Sequence, residues 1–499
     1  MNVAIIVLYL IAMVAVGLWA ARRAASTEDF RVAGRRLGPF FYTGTMAAVV
    51  LGGASTVGGI GLGYTYGISG MWLVMAIASG LLVLSLVFAG RITRLKIYTV
   101  SQMLGLRYGE GIASRVSSVV MLAYTLMLAV TSTSAYASIF SVLLPIDRTG
   151  AILLGGAVVV AYSALGGMWS ITLTDMMQFI FMTVGIFLIL LPFSLYAAGG
   201  WAGMNERLDA TFFSAGSMGF QSIITMFVVY GFGMLIGQDI WQRVFTARSP
   251  EVSRWGGTVS AVYVGLFGLA GAIIGTAAAA VLPVLENSDD AFALMAQDHV
   301  PAGLGGVVLA AGVAAMMSTA SGALIASATV ARVDVVPLFK SLVTKQDDSR
   351  PSLTGDRVYL LTFGVVVTIF SVLVPDVVTA LTIAYDLLVG GLLVAILGGL
   401  IWRRGNSYGA AWSIVSGSVG VVTGMAVFGV MANAPIYIGL GVSAVVYVVV
   451  SLATRPTQGA VLHAWDTRLA GRGTAGAGAG EPDPAEREAA QNPTAGPTL

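Results

Sequence analysis

Residues 49–64 read VVLGGASTVGGIGLGY. They lie in an apolar run long enough to cross a bilayer as a helix, yet six of the sixteen are glycine. Gly52 and Gly53 fall mid-membrane, and Ser55 and Thr56 follow. Glycine loosens a helix there and frees backbone carbonyls. A second stretch, VVYGFGMLIGQD at 228–239, carries Gly231, Gly233 and Gly237. Counted along the chain, the two interrupted spans stand five spans apart. That is the spacing of two inverted five-span repeats, spans 2–6 and 7–11. Interrupted spans at matching positions in two halves point to a transporter's binding site. Close helix packing accounts for either glycine cluster alone; the matched pair favours function.

The composition agrees with a membrane protein. The chain has 499 residues, 57% hydrophobic and 10% charged, with a mean hydropathy of +0.88. A soluble protein of this length would need a larger charged shell, so most of the chain must face lipid. There are no cysteines, which excludes disulfides and thiolate metal sites. The two histidines, His299 and His463, make no cluster. Basic residues do not interleave with aromatics, so a nucleic-acid partner is not expected. No His, Cys or paired-carboxylate constellation suggests an enzyme. The first apolar run is followed, not preceded, by Arg22 and Arg23, as in a retained span rather than a cleaved leader.

Apolar runs of about 20 residues predict an all-α polytopic protein with about 13 transmembrane helices. The spans are 2–21, 39–66, 69–90, 113–143, 149–164, 170–197, 218–238, 255–282, 303–331, 357–374, 377–402, 408–431 and 435–454. With the N-terminus outside, the inner segments hold 24 of the 26 Lys and Arg residues, and only Arg148 and Arg207 fall outside. This partition fits the positive-inside rule and would be scrambled by one span more or fewer. The stretch YTVSQMLGLRYGEG, between spans 3 and 4, is too polar to cross and reads as a short helix on the cytoplasmic surface. Residues 1–454 thus form one transmembrane domain, with a core of spans 2–11 at about 39–402. Residues 455–499 end in a Gly-, Ala-, Pro- and Glu-rich stretch and read as a disordered cytoplasmic tail.

The ninth span contains AAMMSTASGALIAS, residues 314–327. Ala315, Ser318 and Thr319 stand at i, i+3 and i+4, so they share a helix face. Two hydroxyls and a carbonyl one turn back make half an oxygen cage of the kind hard cations require. Uncharged ligands suit a monovalent ion. Small-residue packing explains the same pattern. Two acids also lie inside spans, Asp175 in ITLTDMMQF and Asp386 in TIAYDLLVGG. A carboxylate at membrane depth is costly and usually faces the bundle interior. Asp175 has Thr172 and Thr174 nearby as hydrogen-bonding partners. No basic residue adjoins Asp386 in the sequence, which points to a bound cation or a positively charged solute, lined by Tyr230, Phe232 and Trp72.

Three further segments carry a resemblance. YSALGGMWSITLTDMMQFIFMTVG at 162–185, GQDIWQRVFTARSPEVSR at 237–254 and AAMMSTASGALIASATVARVD at 314–334 resemble the sodium:solute symporter family, over about residues 1–450. The family includes proline, pantothenate, sugar, monocarboxylate and choline carriers. The resemblance implies a LeuT-type 5+5 inverted repeat, with one helix before it and two after. It implies a sodium site built from the carbonyls of Ala48, Leu51 and Ala315 and the hydroxyls of Ser318 and Thr319. Asp175 would stand near the inward exit of the ion. Ser55 and Tyr230 occupy positions where sugar carriers place polar amides, which disfavours a sugar. LGGAST lacks the aspartate that proline carriers show in their second span. AYDLLVGGL and NSYGAAWSIVSG resemble the choline branch.

The expectation is therefore a sodium-coupled symporter of the plasma membrane, importing a small organic solute by alternating access. Na+ is the expected coupling ion. Gly52, Ser55, Thr56, Tyr230 and Asp386 are the expected solute contacts. Lipid surrounds the protein, and a monomer suffices for transport. A proton-coupled carrier of the same fold and a transporter-like sensor are the alternatives.

Overall fold

In the computed structural model, residues 2–136, 139–140, 146–282, 284–343, 352–373 and 377–471 are described. They are helical throughout, with one isolated bridge between Leu37 and Ala247. Ten helices are long and apolar enough to cross a membrane, or eleven if one bent pair is a single span. The elements that position the site are α1 (Asn2–Ala21), α2 (Pro39–Val50), α3 (Ala54–Leu95), α4 (Val100–Tyr108), α5 (Ile112–Ser134), α6 (Arg148–Ala197), α7 (Phe220–Ile236), α8 (Gln238–Val244), α9 (Pro250–Val281), α10 (Leu304–Phe339), α11 (Leu353–Leu373), α12 (Val377–Ile401), α13 (Ser407–Phe428), α14 (Ala434–Ala453) and α15 (Gly459–Leu469).

Both glycine-rich stretches do interrupt helices. α2 ends where Leu51 leaves helical geometry, at φ −92° and ψ 70°. α3 then restarts with a widened π-type turn, Ala54–Gly58. The chain bends by 45° between α7 and α8, at Gly237. The break at Gly52 has a packing cause as well. A Cβ there would sit 2.7 Å from the Oγ1 of Thr319, so only glycine lets α2 and α10 approach this closely.

α3 and α6 reach 42 and 50 residues because each joins helices across a break. The joint expected near residues 165–169 falls at Gly167, where the backbone leaves helical geometry. There φ is 55° and ψ −140°, and a Cβ would lie 2.5 Å from the Phe30 carbonyl oxygen. L-residues avoid this region of backbone space. Gly167→Ala is therefore expected to cost about 1–3 kcal/mol from backbone strain alone. The check is the melting temperature of the purified variant, which should fall; an unchanged value would show that the kink relaxes freely.

α10 is the hub of the fold. It packs against α1, α2, α5, α6, α8 and α11, and its apolar window is fully buried within the protein. Its run of Ala, Gly and Ser makes this possible, because small side chains let several helices approach one axis. α12, α13 and α14 pack on one another, with α12 and α13 also against α5.

One face of α4 packs on the bundle: Val100, Met103, Leu104, Arg107 and Tyr108 are buried, while Gln102, Gly105 and Leu106 are partly exposed. It is started by a reciprocal cap between Thr99 and Gln102. Arg107 then donates to the carbonyls of Gly399 at 2.7 Å and Trp402 at 2.8 Å. That satisfies the orphan carbonyls at the end of α12, so α4 caps that helix. The stretch read as an unstructured tail contains α15, held by buried Trp465 and an ion pair between Arg403 and Asp466. The remainder of that stretch, residues 472–499, lies outside the described residues.

Candidate cation and solute sites

The broken end of α2 meets the middle of α10. Ser318 Oγ lies 2.8 Å from the Ala48 carbonyl oxygen and 2.8 Å from that of Ala315, and donates towards both. Thr319 Oγ1 donates to the Val49 carbonyl at 2.6 Å. Ala48, Ala315 and Ser318 are fully buried and Thr319 nearly so. Ala48, Ala315, Ser318 and Thr319, four of the five residues expected to form the ion site, thus meet at one point. Leu51 is the helix end beside them, and its N–H donates back to Ala48 at 3.2 Å. The hydroxyl bonds described reach Ala48 and Val49, and none reaches Leu51. The Val49 carbonyl, which the sequence reading did not name, is the acceptor for Thr319. A hydroxyl has two lone pairs and a rotatable proton, so these contacts can turn into a cluster of oxygens facing a cation. No group of three or more His, Cys, Asp or Glu able to hold a metal occurs among the described residues. The oxygens that meet here, hydroxyls of Ser318 and Thr319 and carbonyls of Ala48, Val49 and Ala315, are neutral.

A charged layer lies one helical turn away. Thr45 precedes Ala48 by three residues on α2, and Gly322 follows Ser318 by four on α10. Between them, Asp175 of α6 accepts a short hydrogen bond from the Thr45 hydroxyl. Arg243 of α8 reaches the same carboxylate oxygen at 3.3 Å. Both side chains of the ion pair are fully buried. Gly322 makes room for it, since a Cβ there would lie 2.9 Å from the guanidinium. The threonines expected beside Asp175 do other work: Thr174 bonds back to the carbonyls of Ser170 and Ile171, and the Thr172 hydroxyl has no partner. Arg243 was read as belonging to a cytoplasmic loop. The bend at Gly237 carries it back into the bundle, and a buried carboxylate's need for a counter-charge was the signal available in the sequence.

The expected solute residues divide between two spaces. Gly52 and Ser55 line a small central space of about 20 Å³, with Thr131, Ser132, Thr319 and Asp239. That is room for one water or one bare ion. Asp239, unnoticed in the sequence, accepts from the Tyr124 hydroxyl at 3.0 Å. Tyr230 and Asp386 line a second cavity of about 310 Å³. Tyr385 lies between the two, its ring 5.6 Å from that of Tyr124 and 5.4 Å from that of Tyr230. Gly233 clears space for it: a Cβ there would meet the Tyr385 ring at 2.5 Å. Thr56 lines neither space, and its hydroxyl is buried without a partner. Trp72 does not line either, because its indole N–H donates to the Ala215 carbonyl at 2.6 Å and its ring packs on Phe227. Phe232 is 41% exposed and turns outward.

The model of the sodium:solute symporter family matches residues 30–417. The chain belongs to the sodium:solute symporter family. The match spans both broken helices, the paired acid and the hydroxyl pair of α10. Similar curated relatives include the sodium/pantothenate symporter of Haemophilus influenzae, 24% identical with 78% of this chain and 82% of that protein covered. The sodium/glucose cotransporter of Vibrio parahaemolyticus is 24% identical, with 83% of each covered. The high-affinity choline transporter 1 of Caenorhabditis elegans is 23% identical, with 84% and 76% covered. Among solved structures, a substrate-bound, outward-open Na+-coupled sialic acid symporter aligns with a TM-score of 0.77 at 18% identity, over 92% of this chain and 98% of that one. MhsT in complex with L-phenylalanine aligns at 0.52 and 13% identity, over 83% and 98%. This sodium:solute symporter family member therefore has a LeuT-type helical fold and is a transporter, not an enzyme.

Proposed function

We propose that this protein is a sodium-coupled symporter that imports a small organic solute across the plasma membrane by alternating access. The observation that carries the reading is the meeting of the Ser318 and Thr319 hydroxyls with the carbonyls at the broken end of α2. Sodium would bind there, among the oxygens of Ala48, Val49, Ala315, Ser318 and Thr319, with Leu51 at the edge. Its neutral ligands fit a monovalent ion, and its position between α2 and α10 couples occupancy to the packing of the two helices. Solute would reach the central space beside Gly52 and Ser55 once Tyr385 and Tyr230 part. Inward release would pass the Asp175–Arg243 layer, one turn below the ion.

The span count belongs to this proposal. At 1.5 Å rise per residue, α3 and α6 would extend about 63 and 75 Å, twice the thickness of a bilayer core. Gly67, with φ 63°, and Gly167 are where each would turn back. Dividing both there, and taking α2 with the first part of α3 and α7 with α8 as single broken crossings, returns thirteen. The N-terminus would lie outside and α15 in the cytoplasm, with the LeuT-type 5+5 repeat at its core.

The test is uptake by purified protein in liposomes, across amino acids, monocarboxylates, pantothenate, urea and amines. At least one solute should accumulate under an inward sodium gradient, and accumulation should stop when a sodium ionophore dissipates it. Equal uptake driven by a proton gradient without sodium would overturn sodium coupling.

A further inference from the structure

The 310 Å³ cavity has a chemistry that the sodium site does not explain. One wall is α12, where Val378, Thr382 and Asp386 stand at i, i+4 and i+8 and so share a face. The other is α7, whose Ser222, Thr225 and Tyr230 line the same space. The Tyr230 hydroxyl bonds Thr382 Oγ1 at 3.1 Å and ties the two walls together. Asp386 is only 1% exposed, and its Oδ1 is buried without a hydrogen-bond partner. No Lys, Arg or His lines the cavity among the described residues. The remaining walls are mostly apolar, with Leu62, Leu73, Met226 and Ile436.

A buried carboxylate with an unsatisfied oxygen is expensive, and a cation in the cavity relieves that cost. The volume decides which cation. A dehydrated metal ion fills a small fraction of 310 Å³ and would leave the apolar walls without contact. The volume lies in the range of small-molecule sites, which are apolar with a few placed polar groups. An organic ammonium meets all of these conditions. Its charge would face Asp386, and its apolar body would lie on the leucine and methionine walls. An anionic solute would bring like charge against an unpaired carboxylate.

We propose that this cavity is a solute subsite for organic ammonium compounds, anchored by Asp386, and that the transported solute carries such a group. The proposal deepens the carrier reading above and rests on it for the word "transported".

Binding separates the two. Full-length protein in lipid nanodiscs is assayed at saturating sodium with radiolabelled choline, tetramethylammonium and ethanolamine. The neutral carbon isostere of choline, 3,3-dimethylbutan-1-ol, is the competitor. At least one ammonium should bind, the isostere should not displace it, and Asp386→Asn should weaken binding tenfold or more. Asp386→Glu should retain part of the affinity, which a merely misfolded site would not. Three results would overturn the proposal. They are no ammonium binding by protein that still accumulates a neutral or anionic solute, equal displacement by the isostere, and unchanged affinity in Asp386→Asn. Ammonium binding with no sodium-driven uptake of any solute would fault the carrier reading while leaving the subsite standing.

Discussion

Arg243→Met is expected to lower stability by about 3–5 kcal/mol, the usual cost of stranding one member of a buried ion pair. The pair lies wholly inside the protein, with Asp175 shared between Arg243 and Thr45. Methionine fills much of the arginine stem's volume, so the loss comes from the carboxylate and not from a void. The readouts are the melting temperature in detergent and the amount of monodisperse protein recovered from membranes. Both should drop sharply. A second change, Asp175→Asn, made in the same protein should restore much of the loss by removing the orphaned charge. If the double variant is as unstable as the single one, Arg243 stabilises by packing against Gly322 and not by charge. The pair is also imperfectly satisfied: Asp175 Oδ1 and Arg243 Nη1 have no partner. An under-bonded buried pair is poor value as a stabiliser. Its place one turn from the ion site suits a contact that must open, as the proposed exit requires.

The second large effect concerns the oxygens of the ion site. Ser318→Ala and Thr319→Ala should each raise the sodium concentration for half-maximal uptake tenfold or more, which corresponds to about 1.4 kcal/mol. Ser318→Ala takes away the hydroxyl that bridges two carbonyls, and Thr319→Ala the one held on Val49. Alanine packs where a small residue stood, so abundance should change little. Thr319→Ser, which keeps an oxygen at the same place, should recover most of the sodium dependence. Wild-type sodium dependence in both alanine variants would show that the hydroxyls only pack.

The hydroxyl pair was legible because periodicity alone places Ala315, Ser318 and Thr319 on one face. The two interrupted spans were legible because glycine mid-membrane is locally informative. What sequence could not convey was direction after a bend. Gly237 announces a break, but not that the chain turns 45° and carries Arg243 back into the core. Asp239, Gln242 and Arg243 fell outside the predicted span for that reason, and all three are buried, as is Gln238 at the end of that span. Trp72 and Phe232 failed similarly. Phe232 stands two residues after Tyr230, roughly 200° round the helix, so it faces nearly away from the wall that Tyr230 lines. Asp386 and Tyr230 were rightly linked, since they share a cavity, yet the partition of the solute residues into two spaces needed the position of Tyr385. In α3 and α6, Gly67 and Gly167, both at positive φ, fall in the polar joints that hydropathy expects.

α10 was described as a helix buried on every side. Ordinary membrane helices own a lipid-facing stripe on which mutations drift freely, and evolutionary change accumulates there with a helical rhythm. α10 has no such stripe. Its sequence is a shared boundary condition for several neighbours at once, so a residue added to suit one partner intrudes on another.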